Sequence, residues 1–473
     1  ASPPLRLVYG VPDHPWGDSA EGAAVRISMS VGVRGTAEGK LQTVIQERES
    51  EVGEVAVELH TRQGAIHADL KVGANVAGAR RLQANDRLSN RGVIPHGAGF
   101  IVTPDEARSL GLGTVPGLEK HIRPYRNGRD LTGTPRGVMV IDLFGLEADD
   151  VRQRFPAIYQ WLLERVKPER DQNPRPKRRD FWWRFAEDQP RMRESIEGLP
   201  RYIATGQVAK HRVFQWLDAS ILPDDKLIAV ASADALLLGV LSSTVHGAWA
   251  LTTGGRLGVG NDPVYSKSTC FEAFPFPDID PSGALAERIR MLAEQIDAHR
   301  KAQLAAHADA TLTATYNVLE KLRSGEALNS KEKIVHEHGL VSVLKSLHDE
   351  LDAAVLAPQA DEEARSVWTD ALLQRLVDLN ARRASEEAAG TVRWLRPEFQ
   401  DPACRAAAPT TQQSDIIGIE TEAQALASAK EAASADTGVA GPAISGQATQ
   451  PWPPDLHDQV RAAAQALATS PAP

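Results

Sequence analysis

Cysteine is nearly missing: Cys270 and Cys404 are the only two in 473 residues. Two thiols without metal-ligand spacing build no disulfide framework and fit a reducing, cytoplasmic compartment. No stretch reaches the roughly 18 apolar residues that span a bilayer, so no membrane partner is expected. The opening residues carry no basic start followed by an apolar run, so no signal peptide is expected. They also lack an initiator Met, and the sequence is expected to be a piece of a longer chain. Cationic charge is in deficit: 53 Lys and Arg stand against 62 Asp and Glu, net −9. That excludes a protein basic all over, and a nucleic-acid partner then requires a local basic face. Several catalytic patterns are missing too. There is no Gly-x-Ser-x-Gly elbow. His336-Glu337-His338 lacks the spacing that sets two ligands on one helical face, so no zinc site is expected there. The run Gly254-Gly255-Arg256-Leu257-Gly258-Val259-Gly260-Asn261 has no Lys-Ser/Thr and opens no helix, which argues against a nucleotide site.

What is present is 42% apolar residues, enough for ordinary cores, in a length that accommodates two to four domains. Residues 1–90 read as strands. Ala23–Met29 alternates loosely, and Thr61-Arg62-Gln63-Gly64 reads as a hairpin turn between Val55–His60 and Ala65–Leu70. Residues 91–280 are mixed and punctuated by Gly and Pro. Thr103 before Pro104 predicts a capped helix start, Val138–Leu143 a buried strand, and Pro156–Val166 a helix. Residues 281–400 turn helical. Leu285, Ile289, Leu292 and Ile296 make one apolar face. Asn329 with Glu332 predicts a capping box, whose helix continues through Leu344, Leu347, Leu351 and Val355. A long helix is expected over 361–389. From 401 to 473 Ala, Gln, Ser, Thr and Pro dominate, a composition that cannot offset ordering entropy. This predicts a disordered tail with a short helix at 455–468. The fold class expected is α+β.

Three constellations bear on function. Between Arg165 and Arg184 lie Arg165, Lys167, Arg170, Arg175, Lys177, Arg178, Arg179 and Arg184, against only Glu169, Asp171 and Asp180. Cations there attract phosphates by releasing condensed counterions. The embedded Phe181-Trp182-Trp183-Arg184-Phe185 has two readings: rings that stack on exposed bases, or rings that pack in a core. Second, Gly206-Gln207-Val208-Ala209-Lys210-His211-Arg212 is a short polar loop after a strand. In a major groove Gln207 could pair with adenine, and Lys210 or Arg212 with guanine; the bland reading is an exposed inter-strand loop. Third, the Gly-rich loop presents Arg256, with Lys267 following, for phosphate contacts. The DNA-binding candidates are therefore Lys177, Arg178, Arg179, Arg184, Gln207, Lys210, Arg212, Arg256 and Lys267.

Several blocks in order resemble large adenine-specific DNA methyltransferases of the MmeI-like kind. Asp13-His14-Pro15-Trp16 with Ala23–Ile27 looks like the last strands of a class I methyltransferase domain. Leu88–Phe100 is similar to the segment joining it to a target recognition region. Ile122-Arg123-Pro124-Tyr125-Arg126-Asn127-Gly128-Arg129-Asp130 resembles that region's Pro-Tyr, Gly-Arg-Asp block. Ser242-Ser243 through Phe271-Glu272-Ala273-Phe274-Pro275-Phe276-Pro277 continues it, and Leu379-Asn380 to Pro397 is similar to the end of such enzymes. The resemblance implies a methyltransferase sheet remnant over 1–90, an α/β recognition domain over 91–280 and a helical domain over 281–400. It also implies double-stranded DNA as partner, in a bacterial restriction-modification or phage-defence system. Such enzymes move a methyl group from S-adenosylmethionine to adenine N6. They need a Phe/Asp-x-Gly-x-Gly cofactor turn and an Asn/Asp-Pro-Pro-Tyr/Phe loop that grips the flipped base. Neither occurs here; Ser2-Pro3-Pro4-Leu5 has no ring to stack. The expectation is a DNA-reading portion with no catalytic, cofactor or metal residue of its own, served by an N-terminal methyltransferase portion or subunit that holds the cofactor. A non-enzymatic specificity subunit and a helical scaffold that never touches DNA remain the alternatives.

Overall fold

The computed structural model describes residues 5–16, 25–35, 38–49, 55–257, 262–355 and 362–407. Ala1–Ala407 forms one compact unit, and Ala408–Pro473 is a second unit. The helix expected at 455–468 and Gly258–Asn261 of the Gly-rich loop lie outside the described residues.

The first four strands, β1 (Leu5–Trp16), β2 (Val25–Arg34), β3 (Gly39–Glu49) and β4 (Val55–Gly64), form one sheet in the order β2-β1-β3-β4. β1 and β3 run parallel; the other pairs are antiparallel. Alternation is legible in β2, where half-buried Ile27, Met29 and Val31 separate exposed Arg26, Ser28 and Ser30. The hairpin expected at Thr61–Gly64 is corrected. Those residues continue β4 and pair with β3, Gly39 opposite Gly64 and Gln42 opposite Thr61. A paired ladder that long outweighs one local Gly signal. The chain turns only later, where Ile66 bridges Leu7 and Val72.

Next come β5 (Ser89–Arg91), β6 (Ile101–Val102), α1 (Pro104–Ser109), β7 (Ile122–Arg126), α2 (Gly128–Thr132) and β8 (Met139–Ile141). Thr103 caps α1 in a full box with Glu106, as the sequence predicts. A run of short helices follows: α3 (Ala148–Arg154), α4 (Pro156–Arg165), α5 (Lys167–Asp171), α6 (Pro176–Asp180) and α7 (Pro190–Ile196). Then come β9 (Arg201–Gly206), β10 (Gln215–Asp218), β11 (Leu222–Pro223), β12 (Leu227–Val230), α8 (Ala235–Ser242), α9 (Thr244–Thr253), β13 (Gly255–Leu257) and β14 (Asp262–Val264). Two four-stranded sheets result, β10-β9-β12-β5 and β11-β7-β8-β6, with a two-stranded β13-β14 pair beside them in sequence. They share one core of Phe100, Tyr125, Ile158, Trp182, Trp183, Tyr202, Phe214 and Phe271. Among the described residues no single helix is long and apolar enough to cross a membrane; the bent apolar pair α8 and α9 passes only jointly, and its Leu238, Leu241 and Trp249 are core residues.

The remaining helices are α10 (Ala284–Ala306), α11 (Leu312–Ser324), α12 (Ser330–His338), α13 (Val341–Val355), α14 (Glu362–Ala388), α15 (Pro397–Gln400) and α16 (Pro402–Ala407). Ile289, Leu292 and Ile296 are buried, whereas Leu285 is exposed and its neighbour Ala286 takes the buried position in the first turn of α10. Asn329 and Glu332 form the expected capping box. The stripe through Leu344 and Leu351 belongs to a separate helix, however. The chain breaks at Gly339-Leu340, where Leu340 takes φ 42°, a left-handed value that ends α12. The C-terminal helices return to the start of the mixed region. Asn380 donates to the carbonyls of Arg80 and Ala273 at 2.8 Å each, and Gln400 to those of Ala84 and Asp86 at 2.9 and 2.7 Å.

Candidate nucleic-acid interface

A cleft of about 370 Å³ opens where four segments meet. They are the start of α2, the loop after β9, the turn before β12 and the first residues of α11. Asn127, Arg129, Lys210, His211, Asp224, Lys226 and Thr313 are among its lining residues.

Each wall has a local cause. Asn127 caps α2: its side chain accepts from the backbone of Arg129 and Asp130, and Asp130 accepts from the Asn127 backbone at 2.9 Å. The Asp130 carboxylate is fully buried and takes Arg136 in a two-pronged pair at 3.0 and 2.7 Å. That fixes the turn and leaves Arg129 exposed at its tip, with no side-chain partner among the described residues. In the opposite wall, Tyr125 donates to Asp224 at 2.5 Å, and Asp224 also accepts from the Lys226 backbone. Burial is the main reason the Asp224 carboxyl is pushed above its usual range. Lys226 reaches Asp225 at 2.9 Å but stays largely exposed.

The loop after β9 is held at both ends. The Gln207 backbone donates to the Lys226 carbonyl and accepts from the Tyr265 N–H at 2.7 Å each, and Val208 bridges Val264. Arg212 does not point outward as expected. Its guanidinium turns back to the Gly206 carbonyl, the Thr205 hydroxyl and the Pro263 carbonyl, and lies 5.0 Å from the centre of the Tyr265 ring. Burial lowers its pKa, and the side chain clamps the loop from beneath, so base reading by Arg212 is corrected to a structural role. At the crown, Asn317 of α11 accepts from Lys210 at 2.6 Å and lies 2.8 Å from His211, which also meets Glu320 at 3.2 Å. Gln207 accepts from Arg91 at 3.5 Å, and its amide NH2 has no protein partner among the described residues.

The basic segment contracts on folding. Arg170 is wholly buried, donating to the Pro95 and Arg184 carbonyls. Lys167 pairs with Asp171. Arg184 pairs with Asp188 at 3.1 Å with most of its side chain covered, which removes it from the expected phosphate-gripping set. Arg179 donates to the Asn173 carbonyl. Arg175, Lys177 and Arg178 keep no ion pair among the described residues, and Lys177 is exposed. Trp182 and Trp183 are 7% and 6% exposed, and Trp183 donates to the Leu146 carbonyl, so the core reading holds and base stacking by these rings is excluded. Lys267 is drawn to Glu272 at 3.5 Å, and Arg256 stands exposed on β13. Of the expected contact residues only Lys210 lines the cleft; Lys177, Arg178, Arg179 and Arg184 do not. Sequence reasoning missed Arg129 and Lys226. The signal for Arg129 was its Asn-Gly-Arg-Asp capping box, which puts an arginine at a rigid tip.

Residues 81–278 match the family model described as MmeI, target recognition domain. That span contains three of the four cleft walls and the Ile122–Asp130 and Phe271–Pro277 blocks, so the resemblance read from the sequence holds over it. The fold is similar to a solved structure of the Type IIL restriction-modification enzyme MmeI in complex with DNA, with a TM-score of 0.54 at 18% identity. The likeness covers 80% of this chain and 46% of that one, so the chain spans about half the length of the enzyme it resembles. Comparison with curated proteins finds no match.

Proposed function

We propose that residues 81–278 read double-stranded DNA as the recognition portion of a site-specific adenine-N6 methyltransferase of the restriction-modification kind. The observation that carries this reading is the cleft: Arg129, Lys210 and Lys226 edge it, while its one lining carboxylate, Asp224, is held by Tyr125 and the Lys226 backbone. Cations at such a rim neutralise phosphates and set register. The anchored loop then presents Lys210 and the Gln207 amide to base edges, where a fixed donor set discriminates best. Lys177 and Arg178 add backbone contacts beyond the cleft. The strands of residues 5–64 are the closing part of a methyltransferase sheet in this reading, and S-adenosylmethionine and the flipped adenine are held by a portion other than this chain.

The test is selection from a random duplex library with the purified full chain. Enrichment of one short word containing an adenine is expected, and methyl transfer by the chain alone is not. A library that emerges without any preferred word contradicts sequence reading.

A further inference from the structure

At the turn before α11, His307, Asp309 and His338 bring their ligand atoms within 4.8 Å of one another. His307 ends α10, Asp309 lies two residues on in the turn to α11, and His338 is the last residue of α12. The imidazoles lie nearly parallel, 13° apart with centroids at 4.1 Å. Asp309 meets His338 Nδ1 at 2.9 Å, and that contact is the main cause holding its carboxyl below the usual range. His307 has no hydrogen-bond partner for its ring nitrogens among the described residues. Two parallel imidazoles this close would repel if both were protonated.

We propose that these three residues bind one transition-metal ion of the zinc class, with water completing the shell. Two imidazoles and one carboxylate suit zinc, cobalt(II), nickel or copper, and not magnesium or calcium, which prefer all-oxygen shells. Bonds of about 2.0–2.2 Å set tetrahedral ligand atoms roughly 3.4 Å apart, so small shifts of the three side chains complete the site. Asp309 and His307 sit in a short exposed turn that can supply that movement. The ion takes the place of the hydrogen bond between His338 and Asp309. It pins the α10–α11 turn to the end of α12, where Gly339-Leu340 breaks the helix. His336-Glu337-His338 fails as a local motif because its second ligand partner comes from 31 residues earlier in sequence, His307.

The experiment uses the full chain without a histidine tag. Cobalt(II) is titrated and followed by its visible absorption, and thermal melting is measured with and without zinc. One equivalent of cobalt and a zinc-dependent rise in Tm are expected. His338→Ala and Asp309→Asn should each weaken binding roughly tenfold or more and abolish the rise. Circular dichroism checks that both variants stay folded; Asp309→Asn alters an exposed turn and serves if His338→Ala does not. Absence of a stoichiometric cobalt spectrum overturns the proposal. So does unchanged affinity in Asp309→Asn, which would put the ion elsewhere.

Discussion

Acid should loosen this protein through His246, at the centre of the mixed core. Its ring is fully buried among Phe214, Tyr265 and Phe274, with centroids 5.6, 5.8 and 4.5 Å away. One nitrogen lies 2.9 Å from the Tyr265 hydroxyl, and Nδ1 has no partner. Burial, with the nearby Arg212 charge adding to it, lowers the pKa from 6.5 to about 3. Folding thus keeps His246 neutral, while the unfolded chain takes up a proton near the ordinary value. Between the two values the unfolded state binds more protons, so stability rises with pH. The contribution is complete above the unfolded pKa and drains away as pH falls toward the folded one. At about 1.4 kcal/mol per pH unit, going from neutral pH to about pH 5 costs about 2 kcal/mol through this residue. Unfolding free energies from urea titration at the two pH values, for the native chain and His246→Gln, measure it. Glutamine keeps a bond to Tyr265 and does not titrate. His348, also held well below its ordinary pKa by burial, and the raised carboxyls of Asp188 and Asp352 act in both proteins and cancel. The variant should lose about 2 kcal/mol less on acidification. Equal losses in the two proteins refute the reasoning.

Three further substitutions follow from close packing. A Cβ on Gly92 would lie 2.2 Å from the backbone oxygens of both Pro223 and Asp224; Gly92→Ala should cost about 1–3 kcal/mol by overpacking, lower Tm and weaken DNA affinity by shifting the turn that carries Lys226. Asn85 donates to the buried carbonyls of Phe271, Glu272 and Phe274 at 3.1, 3.1 and 2.7 Å. Asn85→Ala should cost about 1–3 kcal/mol by leaving them unpaired, visible as a lower urea midpoint. Trp182→Ala should lose about 3–5 kcal/mol, the penalty of a core ring and not of an exposed stacking platform; a Tm unchanged by it contradicts the core assignment.

Local signals survived into the structure wherever a local interaction decides the outcome. Thr103 with Glu106 and Asn329 with Glu332 formed their boxes because both partners lie within one turn. The Thr61–Gly64 turn did not form, since its alternative was a ladder with β3 that the sequence leaves implicit. The helix break at Gly339 was marked by its glycine, yet the apolar spacing runs on across it. At the site, charge was legible and its destination was not. Arg170, Arg184 and Arg212 look like DNA contacts in sequence, but Arg170 turns to the distant Pro95 carbonyl, Arg184 to Asp188 four residues on, and Arg212 back to the Gly206 carbonyl. Arg129 gained importance for the opposite reason: its neighbours Asn127 and Asp130 consume each other's bonding capacity and leave it at the tip.

The affinity of the full chain for duplex DNA as a function of salt tests the central claim most directly. Between about 50 and about 200 mM salt the native chain should show a steep linear fall of log K against log salt. Arg129→Ala combined with Lys226→Ala should weaken binding across sequences and make that slope shallower by about two units. No binding at the lower salt, or a slope that the double variant leaves unchanged, contradicts a cleft that grips DNA through these cations.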